Sequence, residues 1–286
     1  MDVIPLDNYE LWKQKLDNKA YTDVLREHEI NEWNLLPFEN KCVVLQTLLE
    51  KPINDYGIVY KWYFRNKWLE ALLATEKKAP VRLLEIASGA NDVIPRTLAV
   101  AFNHPDTTYT TANSNKELTK KFREITQDIP IQFKIIEDDA RRMEEFVLDG
   151  DFDIVAHEHS VNDIIYDMLC RKKGLDTVNI PWFDLYSDII TLVNEECAKG
   201  TLETNVKDGL IGIFSSCINV LGKDSFIIIN HFMNTYDLDR GINYDFWENL
   251  LPTFRKWMNE ASIGQEVAFD GFDPQWWMFI KNVSIR

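Results

Sequence analysis

The chain has 286 residues, 45% hydrophobic and 12% aromatic with nine Trp, which is enough apolar material for a large core and too much for a disordered chain. Its 46 Asp and Glu against 31 Lys and Arg give a formal charge of −15 with no basic stripe. A protein that tracks a phosphate backbone needs such a stripe to release counterions, so no nucleic acid is expected as a partner. No run approaches the ~20 apolar residues of a membrane span. The start, Met1 to Trp12, lacks a basic-then-apolar leader, and Cys42, Cys170, Cys197 and Cys217 show no C-x-x-C or zinc-type spacing, so the expectation is a cytoplasmic protein with reduced thiols and no membrane contact.

Residues 1–79 read as a helical cap. Tyr9, Leu11 and Trp12, then Val24 and Leu25, then Val43, Val44, Leu45, Leu48 and Leu49 recur three and four apart, with Pro37 and Pro52 as punctuation. The aromatic block from Tyr60 through Tyr63 and Arg65 to Leu73 predicts a long amphipathic helix. After Pro80 short apolar runs at 81–86, 108–112, 131–136, 152–156 and 225–230 alternate with helical stretches, the first four starting 21 to 27 residues apart. That alternation predicts βαβ units and a parallel sheet buried on both faces. Residues 262–270 and 276–283 follow each other across Asp270-Gly-Phe-Asp-Pro274 with no helix between, which predicts an antiparallel hairpin.

The expected fold is therefore α/β: a doubly wound, mostly parallel sheet of seven strands with an antiparallel last strand over residues 80–286, interrupted by a helical insertion at about 160–224. Cap and insertion together would form a lid over the carboxyl ends of the strands. Nothing in the sequence specifies an oligomeric state.

The first strand runs into Glu85-Ile-Ala87-Ser-Gly89-Ala-Asn91-Asp92, an acidic residue followed by a small-residue turn where a ligand can approach the backbone. Here the chain resembles the class I S-adenosylmethionine-dependent methyltransferases, with Glu85 in the family's acidic position and Ala87, Gly89 and Asn91 in its three glycine positions. The two replacements are tolerable if Ala87 keeps a negative φ and Asn91 takes any left-handed position. The resemblance continues in order to residue 286. It implies that Asn113 meets the ribose hydroxyls with one carbonyl oxygen, that Asn115 or Ser114 caps the next helix, and that Asp139, with Asp138 next and Ala140 after it, receives the adenine amino group. The run Phe152-Asp-Ile-Val-Ala matches the strand whose end lies beside the transferring methyl, followed by His157, Glu158 and His159.

What the resemblance implies is methyl transfer from S-adenosylmethionine, with S-adenosylhomocysteine as product, to N or O of a small molecule or short peptide. On this reading Glu158 lies with the cofactor, and His159 or His157 is a general base or orients the acceptor. Arg65 pairs the cofactor carboxylate and an aromatic ring, Tyr63, roofs the methyl. Trp182, Phe183, Asp184, Tyr186 and Asp188 could receive a cationic acceptor. Each of these groups reads equally as an ordinary cap, core or solvated-face residue, and His231 and Asn234 stand as further pocket or loop residues. An extended His157-x-His159 would put both imidazoles on one side, with Asp163 near, yet no further ligand-spaced group supports a metal and none is expected. A cofactor-binding protein without methyl transfer (sensor, scaffold or other chemistry) and a nucleotide-sugar or nicotinamide enzyme remain as alternatives.

Overall fold

The computed structural model describes residues 8–50, 57–147, 152–233 and 235–283; Pro52 and Asn234 lie outside the described residues. Four helices come first, α1 (Tyr9–Leu16), α2 (Glu27–Leu35), α3 (Phe38–Glu50) and α4 (Ile58–Ala74). Then β1 (Arg82–Ile86), α5 (Val93–Ala101), β2 (Thr108–Ala112), α6 (Lys116–Ile125) and β3 (Gln132–Ile136) alternate up to β4 (Phe152–Glu158). Three helices, α7 (Val161–Lys172), α8 (Tyr186–Lys199) and α9 (Leu202–Val220), precede β5 (Leu221–Asn230). After α10 (Thr235–Asp239), α11 (Tyr244–Glu248) and α12 (Leu250–Glu260), the described chain closes on β6 (Gln265–Val267) and β7 (Trp277–Lys281).

The seven strands form one sheet in the order β3-β2-β1-β4-β5-β7-β6. The first five strands pair in parallel, while β7 pairs antiparallel with both β5 and β6. This is the expected doubly wound sheet. The chain winds outward from β1 to β3 and returns beside β1 as β4, so the order reverses between β1 and β4, the point at which open α/β sheets bind ligands beyond the strand ends. The central strands are apolar because both faces are covered: Leu83, Leu84, Ile154, Val155 and Ile227–Ile229 are fully buried.

A second apolar cluster holds the cap together, with Trp12, Leu45, Leu48, Trp62 and Tyr63 at its centre. The expected amphipathic helix is instead buried over most of its surface, leaving Leu73 and the Lys61 side chain exposed. Its Trp62, Tyr63 and Phe64 belong to the cap cluster, whereas Trp68, Ala71 and Leu72 pack in the sheet core, Trp68 against Trp277 at 5.1 Å. A helix wedged between two cores has little solvent face, so its buried polar residues must find partners. Asn66 Nδ2 donates to the carbonyls of Tyr21 and Trp62, Lys67 Nζ donates to Gly271 O at 2.6 Å, and Arg65 enters a buried ion-pair network. No helix among the described residues is long and apolar enough to cross a membrane.

Candidate functional site

The turn after β1 is held from two sides. Ala87 N–H donates to Ala112 O at 2.9 Å, which prolongs the β1–β2 ladder, and Asn91 Oδ1 accepts from Val93 N at 3.0 Å where α5 begins. Between these anchors Ala87 has φ 55° and Gly89 φ 58°. The left-handed positions are thus Ala87 and Gly89, and Asn91 is not among them, the reverse of the tolerance expected from sequence. Ala87 adopts a conformation that costs an L-residue roughly 1–2 kcal/mol, because the ladder bond fixes its amide while the chain must turn away from the strand. Around Gly89 an added Cβ would meet nothing within 4 Å, so the space above this turn is open.

The remaining strand ends face the same space. Asn113 Nδ2 donates to Gly89 O at 3.0 Å, which leaves its carbonyl oxygen as the group it can offer a ligand. Asn115 caps α6 by accepting from Leu118 N, and its own amide donates to Thr177 O and Ile180 O, tying the insertion to the sheet edge. After β3, Asp139 accepts from Arg141 and from Arg171 Nη1 at 2.8 Å. Burial alone would raise its carboxyl, but those arginine contacts keep it below the ordinary aspartate value. Asp138 accepts from Arg142 and from the Asp139 amide.

These groups line two joined cavities. A narrow one of about 70 Å³ is lined by Ala87, Gly89, Asn113, Asp138, Asp139, Ala140, Met168 and Arg171, among others. A larger one of about 640 Å³ is lined by Tyr60, Gly89, Asn91, Glu158, His159, Asn162, Tyr186 and Tyr236, among others. Both share Ala87, Gly89, Leu118, Asp163 and Trp182. The larger volume lies within the range of small-molecule sites, about 300–1,000 Å³.

At the end of β4 the three polar residues diverge. His157 is wholly buried, stacked on Phe214 at 4.5 Å and in contact with Ser160 Oγ and Cys217 Sγ; burial takes its pKa down to about 3. It lines neither cavity, which excludes it as the group facing an acceptor. His159 lines the larger cavity. The expected shared side fails because φ is 49° at His159, so the strand alternation that would align the two rings is broken there. The His159 ring is sandwiched by Phe232, His231 and Trp247, and its Nδ1 is buried with no hydrogen-bond partner. Burial, then the neighbouring His231, hold it well below the ordinary histidine value. Glu158 accepts from Asn91 Nδ2 at 2.9 Å, yet burial pushes its carboxyl up to about 7.

Other expected site residues are engaged elsewhere. Glu85 is buried at 1% exposure beneath the turn, hydrogen-bonded by Tyr109 OH at 2.5 Å, and lines neither cavity; burial raises its carboxyl well above the ordinary value. Arg65 lines the larger cavity, but both of its Nη atoms are engaged within the protein, donating to Glu29 Oε2 at 2.6 Å, Asp92 Oδ1 at 2.8 Å and Val24 O at 3.2 Å. Tyr63 packs on Trp12 at 4.9 Å inside the cap and lines neither cavity, whereas Tyr60, one helical turn earlier, does. Asp184 and Asp188 are exposed and line neither cavity, whereas Trp182 and Tyr186, on the buried face of that stretch, and the half-exposed Phe183 line the larger one. The carboxylates on the cavity are Glu29 and Asp92, which are ion-paired, and Glu158 and Asp163. Asn162, Tyr236 and Arg171 carry no local sequence signal and join the site only through the fold. Among the described residues no group of three or more His, Cys, Asp or Glu is arranged to hold a metal ion.

Whether these residues fit S-adenosylmethionine is a question of donors and space. The open turn at Gly89, the carbonyl of Asn113 and the Asp138-Asp139-Ala140 segment line one cleft in strand order and offer the polar groups that suit a nucleoside, while the room for one comes only from the narrow cleft together with the larger cavity it joins. No family model matches the chain, and no curated protein matches it in sequence. Solved structures match it in three dimensions. The carbon methyltransferase CurJ is 15% identical with a TM-score of 0.47 over 96% of this chain and 70% of that one. An S-adenosylmethionine-dependent methyltransferase from Aquifex aeolicus is 8% identical with a TM-score of 0.41 over 74% and 86%. A protein provisionally assigned as a sarcosine dimethylglycine methyltransferase from Galdieria sulphuraria is 13% identical with a TM-score of 0.37 over 60% and 47%, so this match spans about half of that chain. The strand order with its antiparallel β7 is that of the doubly wound, Rossmann-like sheet expected from the sequence.

Proposed function

We propose that the protein binds S-adenosylmethionine along the narrow cleft and the adjoining end of the larger cavity, and transfers its methyl group to N or O of a small molecule or short peptide held in the rest of the larger cavity. The observation that carries this reading is the succession of β1, β2 and β3 ends on one cleft, opening at Asp163 and Trp182 into a chamber large enough for an acceptor. When bound, the cofactor supplies a methyl group already activated on a sulfonium. The protein then needs chiefly to align the acceptor and exclude water, which the cap and insertion favour.

For an acceptor that must lose a proton, Glu158 is the better base. A carboxyl held at about 7 is half ionised at neutral pH, where a general base is most effective. His159, held far below its ordinary value, stays neutral and orients the acceptor through its unpartnered Nδ1. Asn113 meets the ribose, and Asp138 or Asp139 with the Ala140 backbone meets the adenine. Isothermal calorimetry with S-adenosylmethionine and S-adenosylhomocysteine tests the reading: micromolar binding of both is expected, and binding of neither overturns it. Binding of both without methyl transfer to any amine or hydroxyl acceptor would favour a cofactor-binding protein of other chemistry.

A further inference from the structure

The cations that line the larger cavity are all paired within the protein. Arg26 and Arg65 hold Asp92 at 2.5 and 2.8 Å, Arg65 and Lys61 hold Glu29 at 2.6 and 3.3 Å, and Lys121 holds Glu117 at 2.6 Å. Two carboxylates on the same cavity have no such counterpart: among the described residues Glu158 accepts only from the Asn91 amide and Asp163 only from Asn162 Nδ2, at 3.0 Å. Asn162 adds a separate observation. Its side chain lines the cavity, is 1% exposed, and has a buried Oδ1 with no hydrogen-bond partner. An acceptor atom removed from water and left without a donor is costly unless a ligand supplies one.

Aromatic rings complete the wall. Tyr186 packs edge-on to Tyr236 at 5.0 Å and stacks with Phe183 at 6.1 Å, and all three line the cavity. Such rings attract a cation and cover an apolar body. We propose that the larger cavity receives a protonated amine, its N–H donating to Asn162 Oδ1, its charge balanced by Glu158 and Asp163, and its carbon skeleton against Tyr186 and Tyr236. The inference rests on the methyl-transfer reading and names the acceptor class for it: the bound ammonium passes one proton to ionised Glu158, which frees the nitrogen lone pair to take the methyl as the sulfonium leaves as the thioether. Burial raises the carboxyls of Glu158 and Asp163, Asp237 adds to this at Asp163, and His159 beside them is neutral; an ammonium between the carboxylates restores their ionised form.

The test is calorimetric titration of the full chain, above neutral pH and without cofactor, with phenethylamine and with its uncharged counterpart phenethyl alcohol. The amine is expected to bind about tenfold more tightly, as one cation–π contact plus one ion pair would give. Asp163→Asn and Asn162→Leu should each reduce that preference by about fivefold. Equal binding of the two probes, tighter binding of the alcohol, or no binding of the amine overturns the proposal, and this comparison in the unmodified protein does not depend on any variant folding. A parallel titration with S-adenosylhomocysteine separates the two readings. If it binds while the amine preference is absent, the amine site alone is wrong; if it fails while the preference persists, the cofactor reading alone is wrong.

Discussion

Arg65→Met distinguishes a structural arginine from a ligand-binding one. The substitution removes a guanidinium 2% exposed and keeps an apolar stem of similar length. Burial by itself would raise the carboxyls of Glu29 and Asp92. Arg65 outweighs it at both, assisted by Lys61 at Glu29 and by Arg96 and Arg26 at Asp92, and holds each at about 2 against ordinary values of 4.5 and 3.8. At 1.36 kcal/mol for each tenfold change in proton affinity, those differences correspond to about 3 and about 2 kcal/mol of native-state stabilisation. Lys61, Arg26 and Arg96 remain in the variant, so part survives, and we expect a loss of about 3 kcal/mol, the lower end for breaking a buried ion pair. Urea unfolding at neutral pH measures it. Both carboxyls are lowered in the folded state, so their contribution is complete above about pH 4.5 and is lost as pH falls toward 2; in the variant that decline should be smaller and should end at higher pH. Unchanged urea stability together with lost affinity for S-adenosylhomocysteine would refute the reasoning and return Arg65 to the cofactor carboxylate.

Glu158→Gln should lower kcat/KM by about 10²–10⁴, and the wild-type rate should rise with pH through about 7. Because the folded carboxyl titrates above its unfolded value of 4.5, the wild type loses stability as pH rises from there through about 7, and the Gln variant should not. Identical pH-stability curves for the two proteins would remove the assignment. Ala87→Gly should stabilise the protein by about 1 kcal/mol by relieving a left-handed alanine, and a lowered melting temperature would contradict the strain argument. Asp139→Ala should weaken S-adenosylhomocysteine by about 1–3 kcal/mol in calorimetry through lost hydrogen bonding, and an unaltered Kd would take the adenine away from the end of β3.

Much of this architecture is local in origin. Runs such as Leu83-Leu84, Ile154-Val155 and Ile227–Ile229 are apolar without alternation because both faces of their strands are covered, and that burial is written into the residues themselves. The absence of a helix between residues 270 and 276 likewise foretells the antiparallel pairing of β6 with β7. The order of small, amide and acidic residues after β1, β2 and β3 was legible for the same reason: each sits a fixed distance past its own strand, and a parallel sheet brings all those ends to one edge.

Contacts between distant segments carry no such signal. Tyr186 hydrogen-bonds Asp237 across 51 positions, and Arg65 spans 36 and 27 positions to Glu29 and Asp92, so nothing near any of them announces the pairing. Arg65 reads as a free cation until the cap folds over it. His157 and His159 read as equivalents until the φ of His159 sends one ring into the core beside Phe214 and the other to the cavity. The sequence by itself determined which faces must be buried and hence the sheet, since apolar periodicity is a property of neighbouring residues. Only the tertiary structure decided which charges are spent on one another and which remain for a ligand, because that depends on distances between side chains that the chain brings together from far apart.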